Sequence, residues 1–218
     1  MESLERTQTK DYIADILRTE IFKRNIKDGE KLKQSEVAAA MGVSRMPVRE
    51  ALQMLEMEGV LERLENRHMK VNGISFESAK AQFRMIKALE KEICLILAEK
   101  QADAQPFRKI ADAYKVRMVA KDSEDCRKLE LEFHQLLSEA TGIPTIKRAH
   151  EQLLSGFFTF VLGNYDFDFE ANCKHIEKIS QHLAENDLPK LMAGFEDYFQ
   201  YYVEILKKEL EGMNHEQP

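Results

Sequence analysis

The N-terminal third of the chain shows three helical apolar stripes followed by a weakly alternating segment. Apolar residues recur every three or four positions over residues 8–24 and in two shorter segments, which predicts three amphipathic helices. Gly29 separates the first two helices, and Gly42 suits the left-handed position that ends the second. Residues 60–72 alternate loosely and predict a hairpin of two short strands. The inward faces of the first and third helices carry Ile13, Ile16, Leu17, Ile21, Val48, Leu52 and Leu55.

Beyond Gly73 the pattern changes to long helices with no strand-like stretch between them. Ser75 can cap a helix that runs to about residue 101, and prolines, glycines and asparagines mark the later helix ends. The sequence predicts a mainly α fold: a winged helix-turn-helix over residues 1–74, then an all-α bundle over residues 75–218. The later predicted helices cover residues 106–121, 124–140, 144–163, 170–185 and 188–211.

Composition and charge leave room for DNA binding. Apolar residues make up 44% of the chain and charged residues 32%, which is enough for packed cores under a polar surface. The net charge is −6, but residues 1–75 hold about equal numbers of basic and acidic residues, so the acidity lies in the remainder. The charged N-terminus does not fit a signal peptide, no apolar run is long enough to span a membrane, and three scattered cysteines predict no disulfide framework. We therefore expect a cytoplasmic protein without a membrane partner.

The start of the third predicted helix carries side chains suited to DNA. Ser44 lies at the N-cap position, and Arg45 and Arg49 are four residues apart, so both arginines share a face away from the apolar stripe. Arginine binds guanine O6 and N7, or phosphate oxygens, in a bidentate manner. The alternative is a helix start that happens to carry two solvated arginines. The order of helices, turn and hairpin around it favours a DNA-reading helix.

Residues 42–52 read Gly-Val-Ser-Arg-Met-Pro-Val-Arg-Glu-Ala-Leu. With this string as its marker, the segment from about residue 8 to 72 resembles the winged helix of GntR-family repressors, in their FadR-like branch. The resemblance implies that Arg45 and Arg49 contact DNA, that Ser44 binds a phosphate, and that the wing reaches the minor groove. Two positions depart from the family pattern: His68 stands where a wing-tip glycine is usual, and Ser35 replaces a common arginine. The predicted DNA-binding residues are Ser44, Arg45, Arg49, Arg67, His68 and Lys70.

A glutamate–histidine pair marks the second domain. Glu130 and His134 are i and i+4 on one predicted helix, so they can supply two metal ligands, or the carboxylate can orient the imidazole. An ordinary buried or surface pair is the alternative. With Phe133 before the histidine and Gly142-Ile-Pro144 after the helix, the segment resembles the helical FCD ligand domain.

The resemblance implies that metal-binding members add two histidines from later helices. Aligning the apolar positions places Ile176 and Tyr198 where those histidines would fall, whereas a shift by one residue offers His175 and Asp197. The candidate metal ligands, for zinc or nickel, are Glu130, His134 and His175, and the candidate effector-binding residues add Tyr198 to these. A pocket that binds an organic ligand without metal is the alternative. His150 and His182 join no motif and are interpreted as ordinary side chains.

These features together predict a ligand-responsive bacterial regulator, a repressor in the pattern of its family, that binds palindromic operator DNA as a homodimer. The resemblance implies a small carboxylate or an acyl compound as effector. One alternative is a metal-dependent enzyme that uses Glu130 and His134, although no nucleophile elbow, phosphate loop or HExxH motif accompanies them. Another is a helical interaction module whose winged helix contacts protein.

Overall fold

The computed structural model describes the backbone of residues 2–215 and the side chains of residues 9–209. It divides the chain into two compact units, Met1–Ser75 and Phe76–Pro218. The domain boundary predicted from the sequence lies between residues 74 and 75. The mainly α architecture, with a small sheet in the first unit only among the described residues, confirms the predicted fold class.

The first unit combines three helices with a three-stranded antiparallel sheet. The first and third helices pack against each other, and the second packs beside the third. Their apolar stripes meet in a core that contains Ile13, Leu17, Val48 and Leu55. The elements are α1 (Glu2–Phe22), β1 (Lys31–Leu32), α2 (Gln34–Met41), α3 (Arg45–Met57), β2 (Leu61–Arg63) and β3 (Met69–Val71).

The sheet has the strand order β1-β3-β2. Strands β2 and β3 form the predicted hairpin, with Leu61 opposite Val71. Strand β1, which was not predicted from the sequence, lies on the other side of β3 with Leu32 opposite Met69. Two residues are too few to show the alternation that identifies a strand, and only the pairing with β3 defines this one.

Local contacts fix the start of α3 relative to α2. Gly42 ends α2 with φ +65°, as predicted. Ser44 occupies the predicted N-cap position, but its side chain makes no capping hydrogen bond.

At the other end of α3, the buried Arg18 of α1 binds Glu58 through Nε at 2.9 Å and Nη2 at 2.6 Å. This ion pair helps to hold α3 against α1.

The second unit is a bundle in which α4 packs on α10, and α5 packs on α6 and α9. Cys94, Cys126 and Cys173 are buried in it as free thiols. Among the described residues, no helix combines the length and apolarity needed to cross a membrane. The helices are α4 (Phe76–Glu99), α5 (Gln105–Val119), α6 (Ser123–Ala140), α7 (Pro144–Leu153), α8 (Thr159–Asn164), α9 (Phe169–Glu185) and α10 (Leu188–His215).

The predicted single helix over residues 144–163 is wrong, because the chain breaks it into two. A wide turn, Leu154–Phe158, separates α7 from α8. Inside this turn Gly156 has φ −89° and ψ −116°, well outside helical values. Leu154 before Gly156 and Phe157 and Phe158 after it are all buried, so the apolar pattern gives no sign of the break.

Candidate functional site

The start of α3 is the first candidate site. Ser44, Arg45 and Arg49 are all exposed there. Within the described part of the chain, neither arginine has a carboxylate partner, whereas Arg18 and Arg63, at the other end of α3, are paired with Glu58 and Glu56. Two unpaired guanidinium groups on a rigidly packed helix are available to an external acceptor such as a phosphate or a guanine edge.

The wing between β2 and β3 is the second part of this surface. Arg67 lies at its tip, exposed and with φ +64°, while Asn66 Oδ1 accepts a hydrogen bond of 3.1 Å from the His68 backbone N–H. His68 is half-buried, and Lys70 binds Glu62 at 3.1 Å. The positive-φ position of the wing therefore falls on Arg67 rather than on His68, and Arg67 is the exposed one of the three predicted wing residues.

The second candidate site is a cluster of fully buried polar side chains in the helical unit, hereafter the polar cluster. Six helices supply its side chains, and phenylalanine rings surround it, among them Phe158, whose ring centroid lies 4.9 Å from that of His134. Its members are Glu90 of α4, Tyr114 of α5, Glu130 and His134 of α6, His150 of α7, Asn172 of α9, and Tyr198 and Tyr202 of α10.

Glu90 anchors one end of the polar cluster. Its Oε1 accepts hydrogen bonds from His134 Nδ1 at 2.6 Å and from His150 Nε2 at 2.8 Å. Burial by itself raises the pKa of Glu90, but the charge and hydrogen bond of His134, followed by those of His150, lower the pKa below its usual value. The interpretation of His150 as an ordinary side chain is therefore wrong, because it shares a buried carboxylate oxygen with His134.

Glu130 forms the other end. Its Oε1 accepts hydrogen bonds from the Tyr198 hydroxyl at 2.7 Å and from Asn172 Nδ2 at 3.0 Å. The Tyr202 hydroxyl donates a further, short hydrogen bond to the same oxygen. The hydroxyl of Tyr114 is 3.4 Å from Oε2. Burial outweighs all of these bonds, so the pKa of Glu130 is raised and its neutral form is favoured compared with a glutamate in water.

Tyr198 joins the two ends. Its hydroxyl oxygen is 2.7 Å from His134 Nε2 and 2.7 Å from Glu130 Oε1. One hydroxyl has one proton to donate. If Tyr198 donates to Glu130, His134 must donate from Nε2; if Tyr198 donates to His134, Glu130 must carry a proton. The cluster can therefore exist in two proton arrangements of equal net charge, related by a proton shift through Tyr198.

The three predicted metal ligands do not converge. Glu130 and His134 are connected through the hydroxyl of Tyr198, which bonds to both. Of the two alignments considered for the later helices, the structure buries Ile176 and Tyr198, whereas Asp197 is exposed. His175 is half-buried outside the polar cluster, with its ring centroid 5.9 Å from that of Tyr198.

The nitrogen and oxygen atoms of these side chains are also not arranged to coordinate zinc or nickel. Both ring nitrogens of His134 are already in hydrogen bonds, and Tyr198 occupies the position of a further ligand. Among the described residues, no group of three His, Cys, Asp or Glu side chains is placed to hold a metal ion. As arranged, these residues fit a hydrogen-bonded network and not a metal centre.

Glu130→Gln is expected to flatten the dependence of stability on pH. Because the folded-state pKa of Glu130 is raised, the native state holds its proton more tightly than the unfolded chain does. Stability from this group is complete below the unfolded pKa, near 4.5, and falls as the pH rises through the folded value. Urea unfolding from about pH 5 to about pH 8 should show a smaller loss of stability in the variant than in the wild type.

Glu196→Gln is the matched control for that comparison. Lys87 and Lys91 lower the pKa of the exposed Glu196, so its contribution is lost only as the pH falls below the unfolded value. This variant should keep the wild-type slope above about pH 5. Equal slopes in Glu130→Gln and the wild type would contradict the assignment of a raised pKa to Glu130.

Two family matches cover most of the chain. Residues 9–71 match "Bacterial regulatory proteins, gntR family", and residues 82–199, more than half of the chain, match "FCD domain". The first match contains α2, α3 and the wing, and the second contains Glu90, Glu130, His134 and Tyr198. The start of α3 and the wing, and every member of the polar cluster except Tyr202, therefore lie inside the matched segments.

Two curated relatives are transcriptional regulators by name. The chain is 22% identical over 205 residues to an uncharacterized HTH-type transcriptional regulator, YdhC, of Bacillus subtilis (92% of this chain, 85% of the relative). It is 29% identical over 126 residues to the HTH-type transcriptional repressor RspR of Escherichia coli K12 (57% of this chain, 55% of the relative). These relatives regulate transcription, so the enzyme alternative is not supported.

Solved structures share the fold. The structure of Lar, which controls the expression of the Listeria monocytogenes agr system, superposes with a TM-score of 0.65 at 18% identity. The match covers 91% of this chain and 96% of Lar. Escherichia coli McbR/YncC has a TM-score of 0.64 at 17% identity, with 93% and 98% covered. At such identities the likeness extends to the arrangement of the elements and not to ligands.

Proposed function

Because the chain belongs to the GntR family of bacterial regulatory proteins and carries an FCD domain, we propose that it is a cytoplasmic repressor that binds operator DNA as a homodimer and responds to a small organic effector. The observation that carries the DNA-binding part is the pair of exposed, unpaired arginines, Arg45 and Arg49, at the start of α3. Support for repression comes from relatives that are named repressors.

The dimer determines the form of the operator. A two-fold symmetric pair places two copies of α3 about one DNA turn, roughly 34–36 Å, apart, so each α3 meets one half of an inverted repeat. Selection of bound duplexes from a random pool, followed by sedimentation of the complex, tests this directly. We expect an inverted repeat and two chains per duplex. A single unrepeated site, bound by one chain, would contradict the dimer.

The effector site proposed here is the polar cluster. Ligand binding changes DNA affinity only if the ligand binds two arrangements of the protein with different strength. The two proton arrangements around Tyr198 provide a local difference that a ligand can favour. The polar cluster also offers unpartnered buried atoms within the described chain, namely Glu90 Oε2, His150 Nδ1 and Asn172 Oδ1.

Charge decides which effector class fits this environment. The buried carboxyl and imidazole groups of the helical unit are Glu90, Glu130, His134 and His150, and no buried lysine or arginine accompanies them among the described residues. A free carboxylate would lie beside the Glu90 carboxylate without a buried lysine or arginine to offset its charge. An uncharged acyl compound that donates a hydrogen bond would instead satisfy Glu90 Oε2 or Asn172 Oδ1. We therefore favour the acyl class, bound without a metal ion.

Thermal unfolding of the full chain tests both the uncharged acyl class and binding without a metal ion. The Tm is measured with fatty acids and with their primary amides, before and after treatment with a chelator. We expect the amides to raise the Tm, the acids to leave it unchanged, and the chelator to have no effect, because only ligands that bind the native state stabilise it. A Tm that falls with chelator, or acids that stabilise only when zinc or nickel is added, would contradict the proposal.

A further inference from the structure

The exposed face of α3 has a methionine at its centre. Successive residues of a helix are rotated by about 100° around its axis. The buried residues Val48, Ala51 and Leu55 define one face of α3, and the opposite direction passes through Met46 and Gln53. Met46 lies in the first turn, where a DNA-reading helix approaches base edges.

The surroundings of Met46 are those of the proposed DNA contact. Arg45 precedes it in the chain, and Arg49, one turn later, places Nη2 3.1 Å from Met46 Sδ. The side chain is 42% exposed, so it leaves apolar surface in water next to Arg45 and Arg49, which have no carboxylate partner among the described residues. Met46 does not belong to the buried core of the first unit, which contains Val48 and Leu52.

The major groove has one apolar feature that such a side chain can contact. Thymine carries a C5 methyl group there, whereas the other base edges present donors and acceptors. Methionine is flexible and polarizable and adapts to a methyl group whose position is set by neighbouring contacts.

We propose that Met46 contacts the C5 methyl group of a thymine in each operator half-site, beside the base or phosphate bound by Arg49. Met46 is then a specificity-determining residue, because it favours thymine at a position that the arginines do not read. This inference rests on the proposed DNA-binding function.

Replacement of thymine by deoxyuridine tests the contact, because it removes the methyl group and keeps the hydrogen-bonding edge. The duplex is the one enriched by the full chain from a random pool, with thymines replaced one at a time in both half-sites. Loss of one buried methyl contact corresponds to about a fourfold loss of affinity. The wild type should show this loss at one thymine per half-site, and Met46→Ala should bind the thymine and uracil duplexes equally.

Met57→Ala is the control, because Met57 is a 72% exposed methionine at the opposite end of the same helix. It should show the wild-type loss at the same thymine. The inference is overturned if no uracil replacement weakens wild-type binding, if the enriched site lacks thymine, or if the loss persists in Met46→Ala. A full chain that enriches no duplex overturns the proposed function itself, which the other outcomes leave intact.

Discussion

Arg49→Ala lowers the affinity for the selected operator duplex by about 5- to 150-fold and leaves the helix content unchanged. A bidentate arginine contact to a base contributes about 1–3 kcal/mol of discrimination, and Arg49 has no carboxylate partner among the described residues that would occupy its guanidinium instead. Because Arg49 is exposed and stabilises no ion pair, its removal does not disturb the packing of α3. Fluorescence anisotropy on the labelled duplex, with circular dichroism of the free proteins, measures both quantities.

Arg117→Ala is the matched control for Arg49→Ala. It removes the same charge from an exposed side chain of the helical unit, where Arg117 Nε is 3.2 Å from Asp125 Oδ2. If the loss of affinity reflected only the net charge of the protein, both variants would show it. Equal affinities of Arg49→Ala and the wild type would contradict the role given to α3.

His134→Ala lowers the free energy of unfolding of the helical unit by about 3–5 kcal/mol, because it leaves a buried carboxylate without its main partner. His134 is fully buried and bonds to Glu90 on one side and to Tyr198 on the other. Its removal also opens a cavity beside Phe158. Any loss of effector response in this variant therefore has to be separated from a loss of folded protein.

Urea unfolding followed by tyrosine fluorescence measures this loss in the full chain. Of the six tyrosines, only Tyr12 lies in the first unit, and the chain has no tryptophan, so the signal reports the helical unit. His175→Ala provides the comparison, because His175 is half-buried outside the polar cluster and should change the stability by less than about 1 kcal/mol. An effect of His134→Ala no larger than that of His175→Ala would contradict the structural role of the polar cluster.

The DNA-binding unit could be predicted from the sequence nearly in full, because its signals are local. Gly42 marks the turn, the stripe of Val48, Leu52 and Leu55 orients α3, and the arginines follow from that orientation. The missing strand, Lys31–Leu32, is defined only by its pairing with a segment far along the chain.

The polar cluster could be predicted only in part, because its members come from six helices. The i, i+4 spacing identified Glu130 and His134, but nothing local connects them to Glu90 or His150. A sequence signal for Glu90 did exist: it interrupts the buried stripe of α4 at the position between Ile86 and Ile93 where an apolar residue is expected. A glutamate at such a position is buried, and a buried carboxylate requires partners.

The most direct test of sequence-specific DNA binding is the preference of the full chain for its selected duplex over a shuffled duplex of the same composition. Competition is measured by fluorescence anisotropy at physiological salt, where non-specific phosphate contacts are weak. A regulator that reads bases through α3 should prefer the selected duplex by at least about a thousandfold. Equal affinity for the two duplexes would contradict sequence-specific DNA binding, and with it the function proposed for this protein.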